Sequence, residues 1–246
     1  MKTSNKLLFG LLIVVLASIT VILIAARFYV DRNTISGNGK QASKTRQLEK
    51  FDKVSINGRF TVHLSQGENS QLKINADENL IPLVESTVDK GELVIKFKDK
   101  VSRKDKVKLF ITADTYNEIA MRAGAEFRTT SELKGDLLNL EVSAGSHGTL
   151  KANYNELKCD VSAGAGLTLT GRTAMATLMA SSGSSLIAQE LIAQKAVARG
   201  SSGASMNIVV TEELDAEMSS GASLTYSGNP VIKNINTSSG GNINKN

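Results

Sequence analysis

The two histidines of the chain, His63 and His147, are the first residues to consider for metal binding or acid–base chemistry. A helical zinc site presents two histidines four residues apart, and neither histidine has such a neighbour. His63 alternates with the apolar residues Val62 and Leu64, which predicts that it faces solvent. His147 falls in a loop between two expected strands. The sequence therefore predicts no metal site and no cofactor.

Serines and carboxylates are the other candidates for chemistry. The sequence has no Gly-x-Ser-x-Gly elbow with partners for a catalytic triad, so we predict no catalytic residues. Glu141 and Asp160 occupy equivalent positions one repeat apart, with Lys158 on the same expected face. A carbohydrate-active enzyme is the alternative that this pair keeps open, because glycoside hydrolysis uses two carboxylates. The next two repeats place Met179 and Arg199 there, so we interpret the pair as a solvated face.

The elements that position these residues are repeats marked by a small-small-Gly-small sequence. The marker glycines follow one another at intervals of 21, 19, 19, 20, 18 and 19 residues. They are Gly124, Gly145, Gly164, Gly183, Gly203, Gly221 and Gly240. A constant period near twenty residues is typical of a solenoid, in which each repeat forms one coil of a stack.

Residues on both sides of each glycine alternate in polarity as a half-buried strand does. Five and three positions before the glycine the residues are mostly apolar, as at Leu140 and Val142, and the residue between them is mostly polar. A second alternation follows the glycine, as at Leu167 and Leu169. We therefore predict coils of strand, corner and strand around an aliphatic interior. The single cysteine, Cys159, falls in the five-before column and is predicted to be a buried, inert thiol.

A serine column lies two positions before the glycines and is a candidate surface ladder. Its members are Ser143, Ser162, Ser181, Ser201, Ser219 and Ser238. Small hydroxyl residues are favoured in tight turns, so we interpret the column as structural, with hydrogen bonds along the stack. A flat hydroxyl surface that binds carbohydrate or ice is the functional alternative.

An N-terminal β section precedes the repeats. Asn57-Gly58 stands between two alternating apolar stretches and predicts a tight antiparallel hairpin. Asp89-Lys90-Gly91 predicts a turn before a further strand. The segment 98–108 holds six Lys or Arg residues and is interpreted as a solubilising hairpin loop, with an anionic-ligand patch as the alternative.

The segment from Leu7 to Ala26 contains no charged residue and is long enough, as a helix, to span a bilayer. We predict an uncleaved anchor, with a cleaved signal peptide as the alternative. The predicted segments are a cytoplasmic tail 1–6, a transmembrane anchor 7–30, a flexible linker 31–50, the N-terminal β section 51–112, solenoid repeats 113–241 and a disordered tail 242–246.

The net charge of +5 is concentrated near the N-terminus. Residues 1–50 carry eight Lys or Arg against two Asp or Glu, whereas residues 113–246 carry ten against thirteen. A nucleic-acid-binding domain needs a basic folded face, so this distribution predicts no nucleic-acid partner.

The lead-in from Phe51 to Val62, the Gly-Glu-Leu-Val-Ile sequence at 91–95 and the serial Ser-Ala-Gly and Ser-Ser-Gly corners resemble the bacterial head GIN domain family of auto-transporter adhesins. The resemblance covers about residues 50–240. It implies a right-handed β-helix-like fold in the cell envelope, and it supplies no catalytic residues.

These observations together predict an all-β solenoid with one N-terminal transmembrane helix in the bacterial inner membrane. Its domain would lie in the periplasm or extracellular space and act as a binding, adhesion or scaffold module without catalysis. The expected partners are the membrane, an envelope protein or glycan, and a second copy of the chain. The alternatives are the carbohydrate-active enzyme above and an accessory of envelope signalling that acts through the N-terminal tail.

Overall fold

The computed structural model describes residues 3–32, 34–102 and 104–246. Helix α1, Thr3–Arg32, includes the segment predicted as the anchor. Within these described ranges, no helix is both long and apolar enough to cross a membrane. The first two residues of the predicted cytoplasmic tail lie outside the described residues. The anchor is therefore still a prediction.

The rest of the described chain is built almost entirely from strands, with one 3₁₀ turn at Ile81–Leu83. In chain order the strands are β1 (Gln41–Gln47), β2 (Lys53–Asn57), β3 (Phe60–Gln66), β4 (Gln71–Asp77), β5 (Val84–Asp89), β6 (Glu92–Phe97), β7 (Val107–Ala113), β8 (Glu118–Arg122), β9 (Glu126–Thr129), β10 (Leu133–Val142), β11 (His147–Val161), β12 (Gly166–Ala180), β13 (Ser185–Gly200), β14 (Ser205–Met218), β15 (Ser223–Ser227), β16 (Val231–Thr237) and β17 (Asn242–Lys245).

Two parallel sheets meet at the glycine corners. The pre-corner sheet has the order β6-β2-β8-β10-β11-β12-β13-β14-β16. The post-corner sheet has the order β7-β3-β9-β11-β12-β13-β14-β15-β17. Strands β11 to β14 are long enough to contribute their first half to the post-corner sheet and their second half to the pre-corner sheet. Coil stacks on coil in parallel, which confirms the predicted solenoid.

The apolar columns form the interior of the stack. Leu140, Cys159 and Leu178 are register partners in successive coils, and each is at most 2% exposed. Alternation along each strand directs these side chains inward, where they contact the same column in the coils above and below. The prediction of a buried five-before column, with Cys159 as a core thiol, is confirmed. Ile235 in the last coil departs from it, because no coil covers it and it is 43% exposed.

Each corner contains two successive residues with positive φ. The marker glycines have φ between 67° and 78°, and the Ala or Ser residue before each has φ between 48° and 60°. The amide of each corner glycine except Gly240 then donates to the carbonyl of the next coil's corner, as from Gly145 to Ala163 at 3.1 Å. Across the described ranges, no ladder-serine hydroxyl bonds to another. The hydrogen bonds that we expected from serine hydroxyls are therefore made by the backbone.

The hairpin predicted at Asn57-Gly58 is wrong. Strands β2 and β3 do not pair with each other, and the amide of Gly58 donates to the carbonyl of Arg122 in the next coil at 3.2 Å. The sequence Asn-Gly allows positive φ, but here it forms a solenoid corner, because each strand gains a parallel partner on both sides. The segment 98–108 likewise joins β6 in one sheet to β7 in the other, and is not a hairpin loop.

Antiparallel strands cap the N-terminal end of the stack. β5 pairs with β6 through the predicted turn at 89–91, β4 pairs with β7, and β1 pairs with β4. The flexible linker predicted at 31–50 is thus wrong over β1, and residues 35–37 are also held, since the amide of Gly37 donates to Asp105 at 2.9 Å and that of Ile35 to the carbonyl of Lys100 at 2.8 Å. The disordered tail predicted at 242–246 is also wrong, because β17 pairs with β15. In both places an otherwise unpaired strand edge binds the segment.

Candidate functional site

The outer face of the post-corner sheet carries two columns of mostly polar and charged residues. Strand register places Lys108, Thr61, Glu126, His147, Gly166 and Ser185 in one column. The second column consists of Phe110, His63, Arg128, Thr149, Thr168 and Ile187. All of these residues except Phe110 line an open cavity with a volume of about 810 Å³, which we call the basic groove. With strands about 4.8 Å apart, its six strands extend over about 24 Å.

His63 forms the buried end of the groove and does not face solvent as predicted, since it is only 7% exposed. Its ring stacks on Phe110 with 4.6 Å between centroids, and Arg128 Nε donates to its Nδ1 at 3.0 Å. Burial lowers the pKa of His63, and the positive charges of Arg128 and Lys108 lower it further. Because Nδ1 accepts, the neutral ring carries its proton on Nε2.

The two cations of the groove lack carboxylate partners. Within the described ranges, neither Lys108 nor Arg128 has an Asp or Glu oxygen within 4.0 Å, and Glu126 beside them has no ion pair. The bond to His63 uses only the Nε of Arg128, which leaves its two terminal nitrogens available. The groove therefore presents positive charge that the protein itself does not neutralise.

His147 lies flat on the face, one strand further along the groove. Its Nδ1 is 2.8 Å from the carbonyl oxygen of Gly145, so this nitrogen donates and Nε2 can accept. The ring covers Gly166, where an added Cβ would be 2.8 Å from His147 Cδ2. Gly166 thus leaves room for the imidazole on the face. The expectation that His147 stands in a loop is replaced by its place as the first residue of β11.

A smaller groove of about 470 Å³ lies across the corner on the pre-corner sheet. Four serines of the predicted ladder line it, namely Ser181, Ser201, Ser219 and Ser238. Its cation is paired, because Arg199 bonds Asp215 at 3.1 Å and lies 3.3 Å from Glu217. These four serines therefore border a surface whose cation is neutralised by carboxylates of the protein itself.

The carboxylates considered for catalysis are neighbours, as the repeat alignment predicts. Arg122 donates two hydrogen bonds to Glu141, and these bonds hold the pKa of that carboxyl below its usual range. Burial and the charge of Glu141 raise the pKa of Asp160. Glu141 is thus already occupied by Arg122, an arrangement that suits a structural ion pair better than a proton-transfer group.

The basic groove could not be predicted from the sequence, because its residues come from distant segments. Strands β3, β7, β9, β11, β12 and β13 each supply two members of its two columns. One sequence feature did point to the groove. The basic segment 98–108, for which an anionic-ligand patch was the alternative interpretation, ends at Lys108. In the described ranges, no group of three or more His, Cys, Asp or Glu side chains could hold a metal ion.

The fold and the groove define a parallel β-solenoid with one open, concave sheet face. The chain belongs to the family described as "Putative auto-transporter adhesin, head GIN domain", which matches residues 50–230. The resemblance noted from the corner repeats is therefore confirmed.

Solved structures show the same fold. A putative adhesin from Bacteroides fragilis has a TM-score of 0.80 at 20% identity, and the match covers 86% of this chain and all of the other. A putative adhesin from Parabacteroides merdae has a TM-score of 0.69 at 20% identity over 87% and 99% of the two chains. A putative lipid binding protein from Parabacteroides distasonis has a TM-score of 0.72 at 18% identity, with the same coverages. Among curated proteins, none matches the chain.

Proposed function

We propose that the chain is a membrane-tethered binding module that displays its solenoid outside the bacterial cytoplasm and performs no catalysis. The observation that carries the proposal is the basic groove, a concave surface on a stacked β scaffold whose cations have no carboxylate partner among the described residues. Stacked repeats offer extended surfaces of this kind to ligands. Membership of an adhesin-like family supports a binding role in the envelope.

The proposed tether is the N-terminal segment. Leu7 to Ala26 contains no charge, and Lys2 and Lys6 precede it. Uncharged stretches of about twenty residues span bilayers, and basic residues beside them favour the cytoplasmic side. This arrangement would leave residues 34–246 in the periplasm or extracellular space.

Thiol labelling in cells tests the placement. Cys159 is the only cysteine and is 1% exposed, so the native chain should not react with a membrane-impermeant maleimide. Glu212 is exposed on β14, and Glu212→Cys should be labelled once the outer membrane is permeabilised. Labelling only after the inner membrane is lysed would contradict the proposed location. The same variant without residues 1–32 should leave the membrane fraction.

Retention of envelope material tests the binding role. The full chain, immobilised in detergent, should retain cell-envelope polysaccharide or protein saturably, and heat-unfolded chain should not. Equal retention by folded and unfolded chain would overturn the role in binding. Release of shortened glycan from the folded chain would instead support the carbohydrate-active alternative, and Asp160→Asn should then abolish that release.

A further inference from the structure

We propose that the basic groove binds an acidic glycan and that Arg128 and Lys108 receive its carboxylates. This inference rests on the proposed binding role and assigns it a place and a ligand class. The two cations lie on one concave face, and strand β3, which carries the neutral His63, lies between the strands that carry them.

The two sheets differ in how the cations on their outer faces are paired. On the outer face of the pre-corner sheet, Arg122, Arg199 and Lys195 each have a carboxylate within 4.0 Å. On the post-corner face, Lys108 and Arg128 have none within the described part of the chain. Cations that the protein leaves unpaired in a concave surface are available to an anionic group from outside.

Two contacts hold the guanidinium of Arg128 in one orientation. The bond from its Nε to His63 Nδ1 fixes one edge of the guanidinium, and His63 is itself held by the stack on Phe110. A guanidinium binds a carboxylate best through two parallel N–H···O bonds, and its unused terminal nitrogens are available for such contacts. Arg128 is therefore preorganised for a planar carboxylate.

The groove also offers polar groups that could contact the uncharged part of the ligand. Hydroxyls of Thr149, Thr168 and Ser185 follow the cations along the groove, and His147 offers Nε2 as an acceptor. Aligned donors and acceptors over about 24 Å suit a chain of several hydroxylated rings. Beneath the groove, Leu167 is 2% exposed, so the interior is filled with side chains. A packed interior gives an acyl chain no channel, which favours a glycan over a lipid.

Glu126 is the one acid among the described residues that line the groove. It lies between Thr61 and His147 in its column, where it repels a second anionic group placed beside the first. The groove is thus suited to a glycan whose carboxylates are separated by neutral sugars. A densely charged polyanion would meet this repulsion along its length.

Calorimetry on the full chain in detergent micelles tests the proposal. The probe is an octasaccharide of alternating glucuronic acid and N-acetylglucosamine, and its matched control is the same octasaccharide with the carboxyls reduced to alcohols. We expect the acidic form to bind and the reduced form to bind at least about tenfold more weakly. Equal affinity for both forms would show that carboxylates are not recognised and would overturn the inference.

Matched variants locate the site. Arg128→Gln and Lys108→Gln should each weaken binding about tenfold, and Glu126→Gln should strengthen it several-fold. Arg199→Gln and Lys195→Gln remove the same charges from the paired sheet and should leave affinity unchanged. All five residues are at least partly exposed, and thermal unfolding should confirm that the variants fold. A loss of affinity shared by both sheets would indicate general charge attraction and would contradict a site in the groove.

Two further outcomes separate this inference from the proposed function. Binding to anionic phospholipid vesicles but not to the acidic octasaccharide would replace the glycan by a lipid surface. Saturable retention of other envelope material, together with no affinity for the octasaccharide, would leave the binding role intact and reject the ligand class.

Discussion

Leu93 and Ile235 stand at opposite ends of one inward-facing column, which passes through every coil of the pre-corner sheet. Leu93 is fully buried, because β5 pairs with β6 and completes the N-terminal end. Ile235 is 43% exposed, because no described strand stacks on the outer side of β16. The column runs in the same way at both ends, so the burial of an end residue is decided by whether another strand covers the coil to which it belongs.

The open end also leaves sheet edges unpaired within the described residues. β16 and β17 each pair on one side only, and their side chains are almost all exposed. Lys233 and Lys245 lie on these strands, and edge lysines oppose pairing with another chain. A coil held on one side should open more readily than a coil held on both sides.

The largest expected effect comes from a clash that occurs both inside the stack and near its open end. A Cβ on Gly171 would overlap the carbonyl oxygen of Ala152, and a Cβ on Gly228 would overlap that of Val210; both glycines have positive φ. Gly171→Ala should destabilise by about 4 kcal/mol, and Gly228→Ala by about half as much, because the last coil can move away. Urea unfolding measures both, and equal losses would show that the last coil is held as firmly as the interior.

Truncation at the two ends of the column tests the comparison directly. Leu93→Ala should cost about 3 kcal/mol, because it leaves a cavity under the antiparallel cap. Ile235→Ala removes a side chain that water already contacts and should cost less than about 1 kcal/mol. Chemical denaturation provides the two values. A cost at Ile235 equal to that at Leu93 would mean that something covers the open end in solution.

A smaller effect concerns an ion pair and its dependence on pH. The bonds from Arg122 depress the pKa of Glu141 in the folded chain. Stability from this pair is therefore present above the unfolded pKa and is lost as pH falls through the folded pKa. Glu141→Gln should cost less than about 1 kcal/mol at neutral pH, because the pair is partly exposed, and nothing in strong acid.

Asp215 is the matched site near the open end, since bonds from Arg199 lower its pKa in the same way. Asp215→Asn should also lower the stability at neutral pH, but by less than Glu141→Gln does, because the coil above Asp215 opens more easily. Stability curves between neutral and acid pH report both changes. A larger loss for Asp215→Asn would reverse the expected order of the two ends.

The smallest effect is a gain in stability at the corners. Ser182 has φ of 54° in the interior and Ser239 has φ of 48° in the last coil. Positive φ costs about 1–2 kcal/mol for residues other than glycine. Substitution by glycine removes this cost, but part of the gain is lost because glycine makes the unfolded chain more flexible. Ser182→Gly should thus stabilise by about 0.5 kcal/mol and Ser239→Gly by almost nothing. Thermal melts can rank them, and destabilisation at Ser182 would contradict the strained corner.

The repeat region was predictable because its information is local and repeated. Glycine spacing gave the period, and alternation around residues such as Leu140 gave the buried columns. The cap was not predictable, because β1 and β4 have no repeat and their pairing depends on which strand edge is left open. His63 was wrongly predicted to be exposed for a similar reason. It does alternate outward, but Phe110 and Arg128, which are distant in the sequence, cover it.

The sequence by itself determined that the chain stacks in coils of about twenty residues around an aliphatic interior, since each coil repeats the same periodicity and the same corner. Only the tertiary structure decided which coil lies beneath which at the N-terminal end, where β6 and β7 stack under β2 and β3 although they come later in the chain. It also decided that Lys108, His63 and Arg128 share one groove. Such contacts join residues up to 65 positions apart, and no local pattern records them.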